Sequence, residues 1–359
     1  MTVLLFVILA FPLLLLFLHR KHRKNGGLLH LPPGPPGLPF IGNLHQMDNS
    51  ARHRYLWQLS KQYGSLMSLR LGFIPTIVVS SARIAKERNE KDLCSSSLHL
   101  KRVQSYTPIR EYEVSQMIEK ISKLASASKL INLSETLMFL TSTIICRVAF
   151  GKRYEDEGFE RSRFHGLLND AQAMLGSFFF SDHFPLIEYI CGGTDTGAAT
   201  VIWAMTALMK NPRVMKKAQE EVRNTFGKKG FIGEDDVEKL PYLKAVVKET
   251  MRLLPAVPLL IPRETLQKCS IDGYEIPPKT LVFVNAWAIG RDPEAWENPE
   301  EFIPERFLGS SVDFRGQNYK LIPFGAGRRV CPGIHIGAVT VELTLANLLT
   351  HLTGKCLLE

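Results

Sequence analysis

The order of apolar and polar positions separates an apolar amino-terminal run from a longer amphipathic body. Residues 65–81 alternate apolar and polar side chains around a glycine and a proline, which favours a pair of strands. Helical periodicity dominates residues 108–180 and 196–254, and further strand patterns follow at 269–287. The sequence therefore predicts a body that is mainly α with a small β-sheet.

The apolar run covers residues 2–18 and contains no charged side chain. Its 17 residues are just long enough to cross a bilayer core of about 30 Å. The basic cluster HRKHRK follows at 19–24, and such clusters stay on the cytoplasmic side. A cleaved signal peptide is the alternative, but it carries its charges before the run. We predict that residues 1–24 are a single-pass signal anchor in the endoplasmic reticulum membrane, with the remainder of the chain cytosolic.

A proline-rich segment follows the predicted anchor. Residues 31–43, LPPGPPGLPFIGN, contain five prolines, which stiffen an extended backbone and remove its hydrogen-bond donors. The pattern predicts a hinge at 25–44 that acts as a semi-rigid spacer before a domain at 45–359. A recognition site for a proline-binding module is the alternative interpretation.

Composition and charge narrow the class of protein. A chain of 359 residues that is 45% apolar and 22% charged is typical of a globular protein. The net charge of +9 suits nucleic acid, an anionic membrane or an acidic partner, and no nucleic-acid motif accompanies it. The six cysteines form no CxxC pair, so the sequence indicates reduced thiols and neither a zinc site nor a disulfide framework.

The segment FGAGRRVCPG, residues 324–333, surrounds one cysteine with unusual neighbours. A thiolate at Cys331 can bind haem iron if its charge is stabilised and water is kept away. The glycines allow sharp turns and a close approach to a flat macrocycle, and Pro332 suits the first turn of a helix whose amino end faces the sulfur. Phe324 can cover such a site and Arg329 can pair with a haem propionate. A buried structural cysteine in a glycine-rich turn is the alternative.

Two further segments carry candidate chemistry. In CGGTDTGAAT, residues 191–200, three glycines stand inside a predicted helix, where each costs about 1 kcal/mol relative to alanine. A phosphate loop is the alternative there, but no Gly-Lys-Ser/Thr follows. Farther along, Glu249 and Arg252 are three residues apart and can pair on one helix face. Taken alone, that pair is typical of a solvated helix surface.

The pattern formed by Phe324, Gly327, Arg329, Cys331 and Gly333 resembles the haem-binding signature of the cytochrome P-450 superfamily. The proline-rich segment, NPRVMKKAQEEVRNTF at 211–226 and the run at 287–307 are most similar to the plant microsomal A-type enzymes of family 71.

The resemblance implies a haem-thiolate monooxygenase that inserts one oxygen atom from O2 into a small apolar plant metabolite. Its cofactor would be haem b, iron protoporphyrin IX. Electrons would come from NADPH through a membrane-bound flavoprotein reductase, whose acidic face would suit the net positive charge.

The resemblance also implies roles for individual residues. Cys331 would ligate the iron, Thr196 would hydrogen-bond the activated oxygen, and Asp195 would help deliver protons beside the helix opening at Gly193. Arg263, in IPRET, would meet a haem propionate. Arg306, in FIPERF, would join Glu249 and Arg252 in a buried structural triad.

The chain departs from the family pattern by its length. Compared with the family pattern, one internal segment is absent after SSARIAKE, where the family has a substrate-contacting loop, and a second is absent between SDHFPLI and YICGGTDTG. The second would remove helices that roof the substrate pocket, and the chain also ends where a last sheet begins in the family. A non-catalytic, membrane-tethered remnant or splice form is therefore the alternative to an active enzyme, and an incomplete gene model is a third hypothesis.

Overall fold

A computed structural model describes residues 30–47, 51–90, 103–153, 185–227 and 229–351, with the side chains of 88–90, 185–191 and 328 excepted. The predicted anchor therefore lies outside the described residues. The chain divides into two compact units, Met1–Lys91 with Leu259–Ile289 and Asp92–Pro258 with Gly290–Glu359.

The helices and strands follow one another in this order: a 3₁₀ helix Leu44–Gln46, α1 Arg52–Tyr63, β1 Leu66–Leu71, β2 Ile74–Val79, α2 Ala82–Glu90, α3 Thr107–Ser126, α4 Leu133–Phe150, α5 Pro185–Lys210, α6 Pro212–Phe226, α7 Glu234–Val237, α8 Pro241–Leu253, β3 Arg263–Glu264, β4 Cys269–Ile271, β5 Tyr274–Ile276, β6 Leu281–Val284, α9 Ala286–Ile289, 3₁₀ helices Pro304–Phe307 and Gly327–Arg329, and α10 Ile334–His351. The prediction of a mainly helical body with a small sheet is confirmed.

The first unit contains all six of these strands. Four form a sheet in the order β1-β2-β6-β3, in which β2 and β6 are parallel and the other neighbours antiparallel. Strands β4 and β5 form a separate hairpin. Alternate side chains of β1 and β2 enter a core with α1, where Leu56, Met67 and Val78 are fully buried. The alternation in β1 thus arises because one sheet face packs on a helix, whereas residues 76–79 of β2 are all buried.

The proline-rich segment lies along the outer edge of β1. Ser68 donates from its backbone N–H to Pro33 O at 2.9 Å and from its hydroxyl to Pro32 O at 2.7 Å. Asn43 joins the same two stretches, because its side chain donates to Pro35 O and accepts from the backbone N–H of Arg70. The segment predicted as a spacer is therefore fastened to the sheet from Pro32 onward, since proline carbonyls remain good acceptors.

The second unit is a helical body around one large apolar core formed by α3, α4, α5, α6, α8 and α10. Within the described ranges, α4 is the one helix long and apolar enough to cross a membrane by length and composition. Its Leu137, Leu140 and Ile144 belong to this core.

Helix α8 begins on a cap supplied by α6. The Glu221 carboxylate accepts from the backbone N–H groups of Tyr242 at 2.7 Å and Leu243 at 2.8 Å. These N–H groups have no partner within their own helix, and a carboxylate is also favourable near a helix amino end. Glu221 thus fixes the start of the helix that carries Glu249 and Arg252.

Candidate functional site

The segment FGAGRRVCPG forms a tight turn that leads into α10. The Cys331 N–H donates to Phe324 O at 2.9 Å, which closes the loop over the intervening residues. Gly325 and Gly327 have φ values of +75° and +71°, in the left-handed region that favours glycine. These two glycines therefore serve the turn itself, and the turn holds Cys331 three residues before the first helical residue, Ile334.

The Cys331 side chain is partly exposed. A Cβ placed on Gly333 would lie 3.7 Å from Cys331 Sγ, and one placed on Gly337 would lie 3.8 Å from the Phe324 ring. Phe324 also packs against the Phe314 ring at 5.6 Å between centroids and against the helical core. The turn thus presents a thiol near a helix amino end with small residues around it, while Arg329 is exposed nearby.

Helix α5 places the predicted oxygen-site residues in its first half. The Thr196 hydroxyl donates to Gly192 O, four residues earlier, at 2.5 Å. Thr200 repeats the pattern by donating to Thr196 O at 2.7 Å. Such back-bonds use the hydroxyl proton within the helix and leave the oxygen of Thr196 with lone pairs that can only accept. Asp195, the adjacent residue, is half-buried.

Two of the three α5 glycines have a packing reason. A Cβ on Gly193 would lie 3.0 Å from Ile145 Cδ1, and a Cβ on Gly197 would lie 3.3 Å from Thr141 Cγ2. Both contacts are with α4, so these glycines let the two helices approach closely. At Gly192 no neighbouring atom lies within 4 Å of an added Cβ. Packing therefore accounts for Gly193 and Gly197, and Gly192 is the one that it does not explain.

Glu249, Arg252 and Arg306 come together in the interior of the second unit. Arg252 forms two parallel bonds with the Glu249 carboxylate, at 2.7 Å from Nε and 2.8 Å from Nη2. Glu249 Oε1 also accepts from Arg306 Nε at 3.2 Å and from the Ile303 N–H at 2.7 Å. The side chains of Glu249 and Arg252 are completely buried. The spacing of Glu249 and Arg252 taken alone is typical of a solvated helix surface, but in the structure neither side chain reaches solvent.

Sequence reasoning missed several groups that complete this cluster. Arg252 also donates to the carbonyls of Gly290, Pro299 and Glu301, at 2.5, 2.7 and 2.9 Å. The Trp296 ring lies 5.3 Å from the Arg252 guanidinium and 5.9 Å from that of Arg306. Backbone acceptors leave no trace in a sequence, because every residue carries a carbonyl.

The remaining predicted residues are placed as follows. Arg263 lies on β3 in the first unit, where it pairs with Val282 of β6. Among the cysteines whose side chains are described, Cys146, Cys269 and Cys331 form no disulfide. Burial raises the pKa of the Cys146 thiol to about 11, which keeps it protonated and makes it an inert core residue.

Comparison with known proteins identifies the kind of site. Residues 32–93, 85–192 and 186–357 match the family model described as Cytochrome P450. The chain is 41% identical to 6,7,8-trihydroxycoumarin synthase from Pastinaca sativa, over 97% of this chain and 91% of that protein. It is 40% identical to 5-OH-xanthotoxin synthase from Ammi majus, with the same coverage. A zebrafish cytochrome P450 structure with abiraterone shares the fold, with a TM-score of 0.67, 23% identity and coverage of 83% of this chain and 90% of that one.

The same comparisons locate the internal losses. The alignment with the trihydroxycoumarin synthase runs over 459 positions, whereas this chain has 359 residues, so at least 100 positions face gaps in this chain. The family model matches this chain in three segments, and consecutive segments overlap at 85–93 and at 186–192. These are the two places where the sequence predicted missing segments.

Proposed function

Because the chain belongs to the cytochrome P450 family and is an oxidoreductase of the monooxygenase class, we propose that it inserts one oxygen atom from O2 into a small apolar plant metabolite. The observation that carries this proposal is the turn at Cys331. It combines a partly exposed thiol, two glycines of positive φ and the start of a long helix within eleven residues, Phe324 to Ile334.

The residues around Cys331 fit an iron porphyrin. A single thiolate is the donor that such a site requires, and small residues at 325, 327, 333 and 337 leave room for a flat group. Cys331 would hold the iron of haem b, Phe324 would lie against the macrocycle, and Arg329 and Arg263 would pair with propionates. When bound, the haem would supply the oxygen-activating chemistry.

The geometry of α5 supports a role for Thr196 in proton handling. Since its hydroxyl donates to Gly192 O at 2.5 Å, its oxygen accepts hydrogen bonds at the site. Thr196 would therefore hold a protonated ligand or a water in place, while the Asp195 carboxylate would relay protons from solvent. Gly193 sets the close approach to α4 that fixes this turn of the helix.

We propose a planar aromatic substrate of the coumarin kind, because one relative is named for a trihydroxycoumarin product and the other for a hydroxylated xanthotoxin. Electrons would come from NADPH through a flavoprotein reductase with an acidic docking face, which the net charge of +9 would attract. Residues 1–24 would tether the protein to the endoplasmic reticulum membrane with the catalytic body in the cytosol.

A second candidate function is supported by the two internal losses. At least 100 aligned positions without a counterpart would take away part of the pocket roof, so that water reaches the iron and oxygen chemistry is uncoupled from substrate. In that case the chain would be a membrane-tethered haem protein without turnover.

The experiment is a carbon monoxide difference spectrum of the full chain in microsomal membranes after reduction with dithionite. We expect the red-shifted Soret band of thiolate-ligated haem, and its loss in Cys331→Ser. The matched control is Cys269→Ser, another partly exposed thiol, which should leave the band unchanged.

Turnover separates the two candidates. With NADPH, reductase and a panel of coumarins, the monooxygenase yields hydroxylated product. A normal spectrum without product favours the tethered haem protein, and absence of the band with protein present overturns both.

A further inference from the structure

The main chain of Phe324 is fixed by the turn at Cys331, but the direction of its ring is not. The Phe324 carbonyl accepts from the Cys331 N–H at 2.9 Å, so the backbone of the phenylalanine is tied to the cysteine itself. This bond does not restrict rotation about the side-chain bonds of Phe324. The groups that pack on the ring therefore decide how it stands relative to the thiol.

Helix α10 limits the Phe324 ring on one side. A Cβ on Gly337 would lie 3.8 Å from Phe324 Cε1, and a Cβ on Gly333 would lie 3.7 Å from Cys331 Sγ. The two glycines are four residues apart, and the Gly337 N–H donates to Gly333 O at 2.8 Å. Residues four apart lie on one side of a helix, so the thiol and the ring lie at neighbouring positions along the start of α10.

Phe314 packs on the Phe324 ring from a different part of the chain. The two ring centroids are 5.6 Å apart and the ring planes are inclined by 58°, within the range of favourable aromatic pairs. Phe314 also packs against two apolar clusters, the large helical core and a smaller cluster that includes Trp296 and Phe307. The scaffold therefore places Phe314, and Phe314 in turn limits the Phe324 ring.

The loop that carries Phe314, residues 312–316, is held at its beginning. The Lys248 ammonium on α8 donates to Val312 O at 3.1 Å. The Asp313 carboxylate then accepts from the Arg315 N–H at 2.8 Å, which closes a short turn around Phe314. The loop is thus fastened to the helix that also carries Glu249.

The end of the 312–316 loop packs directly on the Cys331 turn. Gly316 has a φ of +81°, in the left-handed region that favours glycine. A Cβ on Gly316 would lie 3.2 Å from Gly325 O and 3.3 Å from Ala326 Cα. The loop and the turn therefore fit each other at the backbone, and Phe314 has a fixed place beside the turn.

The direction of the Phe324 ring has a chemical consequence for a thiolate at Cys331. Water that donates hydrogen bonds to a thiolate reduces the electron density that the sulfur gives to iron, and this raises the reduction potential of the bound metal. An apolar ring keeps water away only while it is held over the sulfur. A residue that holds the ring there controls the potential without touching the iron.

We propose that Phe314 is a positioning residue, which holds the Phe324 ring over the Cys331 sulfur and so keeps the reduction potential of the iron low. It acts only through Phe324 and takes no part in the oxygen chemistry. The inference rests on the haem-thiolate site proposed above.

The test compares reduction potentials of the haem-loaded full chain in detergent, measured by spectroelectrochemical titration. Phe314→Leu removes the ring and keeps an apolar side chain, whereas Phe314→Tyr keeps the ring. Phe324→Leu and the double variant Phe314→Leu/Phe324→Leu complete a double-mutant cycle. The matched control is Phe226→Leu, because Phe226 on α6 is also partly buried against the helical core and its ring lies beside Lys229.

We expect Phe324→Leu to raise the potential and Phe314→Leu to raise it by at least half as much. Phe314→Tyr and Phe226→Leu should keep the potential of the parent. The double variant should match Phe324→Leu alone, because Phe314 has no effect once the ring that it holds is gone. Lys248→Met frees the loop at Val312 and leaves both rings in place, and we expect a smaller rise in the same direction.

Three results would overturn the inference. They are a parental potential in Phe314→Leu, a parental potential in Phe324→Leu, and shifts that simply add in the double variant. If Phe314→Leu takes up no haem, Lys248→Met decides, and a parental potential there counts against Phe314. A parent that gives no thiolate band with carbon monoxide refutes the proposed site and this inference together, whereas a normal band with an unshifted Phe314→Leu refutes the inference alone.

Discussion

The cluster around Glu249 and the turn around Cys331 lie in the same unit and use their polar groups in opposite ways. At the cluster, the Glu249 carboxylate and the Arg252 guanidinium are completely buried, and three carbonyls and a second arginine complete their hydrogen bonds. At the turn, backbone bonds fix the loop, while the Cys331 side chain is left partly exposed.

This difference indicates that the Glu249 cluster is part of the scaffold and that the Cys331 turn is a ligand site. A buried charge is tolerated only when its partners are complete, so the cluster is a structure that admits no further ligand. A ligand site needs the reverse arrangement, in which a rigid backbone holds a side chain that a ligand can reach. We therefore expect substitutions at the cluster to act on stability and substitutions at the turn to act on cofactor binding.

The largest loss of stability is expected for Glu249→Gln. The substitution removes the countercharge of Arg252 and Arg306, and breaking a buried pair of this kind costs about 3–5 kcal/mol. The free energy of unfolding in detergent, followed by far-UV circular dichroism, measures it. Glu119→Gln is the control, because Glu119 pairs with Lys123 on an exposed helix face. A Glu249→Gln protein as stable as the parent would contradict the scaffold role.

A second buried glutamate, Glu342, makes the stability of the protein depend on pH. Glu342 is 8% exposed on α10, and burial raises its pKa to about 7 although Lys244 and Lys248 lower it. Since the folded state then holds this proton more tightly than the unfolded chain, stability is greatest at low pH and falls as pH rises from about 4.5 to 7.

The corresponding variant is Glu342→Gln, which we expect to remove this pH dependence. At pH 8 it should be more stable than the parent by up to about 3 kcal/mol, with little difference at pH 5. Thermal midpoints of both proteins between pH 5 and 8 test this. Parallel pH profiles for the two proteins would show that Glu342 is already ionised at low cost.

A smaller effect is expected at the cap that fixes α8. Glu221→Gln weakens two charge-assisted hydrogen bonds to the start of the helix and should cost about 1–2 kcal/mol. Glu220→Gln is the neighbouring control, because Glu220 is exposed and pairs only at 3.7 Å with Lys216. Denaturant unfolding of the two variants measures the difference, and equal values would argue against the cap.

The smallest change in stability is expected for alanine substitutions of the α5 glycines. Gly192→Ala adds a methyl group where no atom lies within 4 Å, so it should stabilise the protein by up to about 1 kcal/mol. Gly193→Ala should gain less, since its Cβ would press on Ile145 Cδ1 at 3.0 Å. The midpoints of thermal unfolding of the two variants measure this difference. If Gly192→Ala lowers stability instead, we would infer that the helix is locally open at the Gly192 carbonyl, which accepts from Thr196.

The sequence predicted the strands of the first unit and the helices of the second because their periods follow from burial on one face. It also brought Glu249 and Arg252 onto one helix turn by spacing alone. The burial of this pair was expected only from the family resemblance, because burial depends on the carbonyls of Gly290, Pro299 and Glu301, which any residue could supply.

The glycines show the same limit at the candidate site. Gly325 and Gly327 were predicted to serve a turn, and both have positive φ. In CGGTDTGAAT the three glycines look alike in sequence, yet Gly193 and Gly197 face α4 while Gly192 is open. Their different surroundings depend on a helix some fifty residues away in the chain. The role of the proline-rich segment was missed for a similar reason, since its acceptors are matched by donors on β1.

The proline-rich segment also guards the sheet against other chains. β1 is the outermost strand in the order β1-β2-β6-β3, and an uncovered outer strand offers a template for intermolecular pairing. The segment occupies that edge, and because Pro32, Pro33, Pro35 and Pro36 have no N–H, it offers few donors to another strand. A shortened protein that starts at residue 45 would expose the backbone of Ser68 and Arg70, and would aggregate through this edge even if its helical unit were intact.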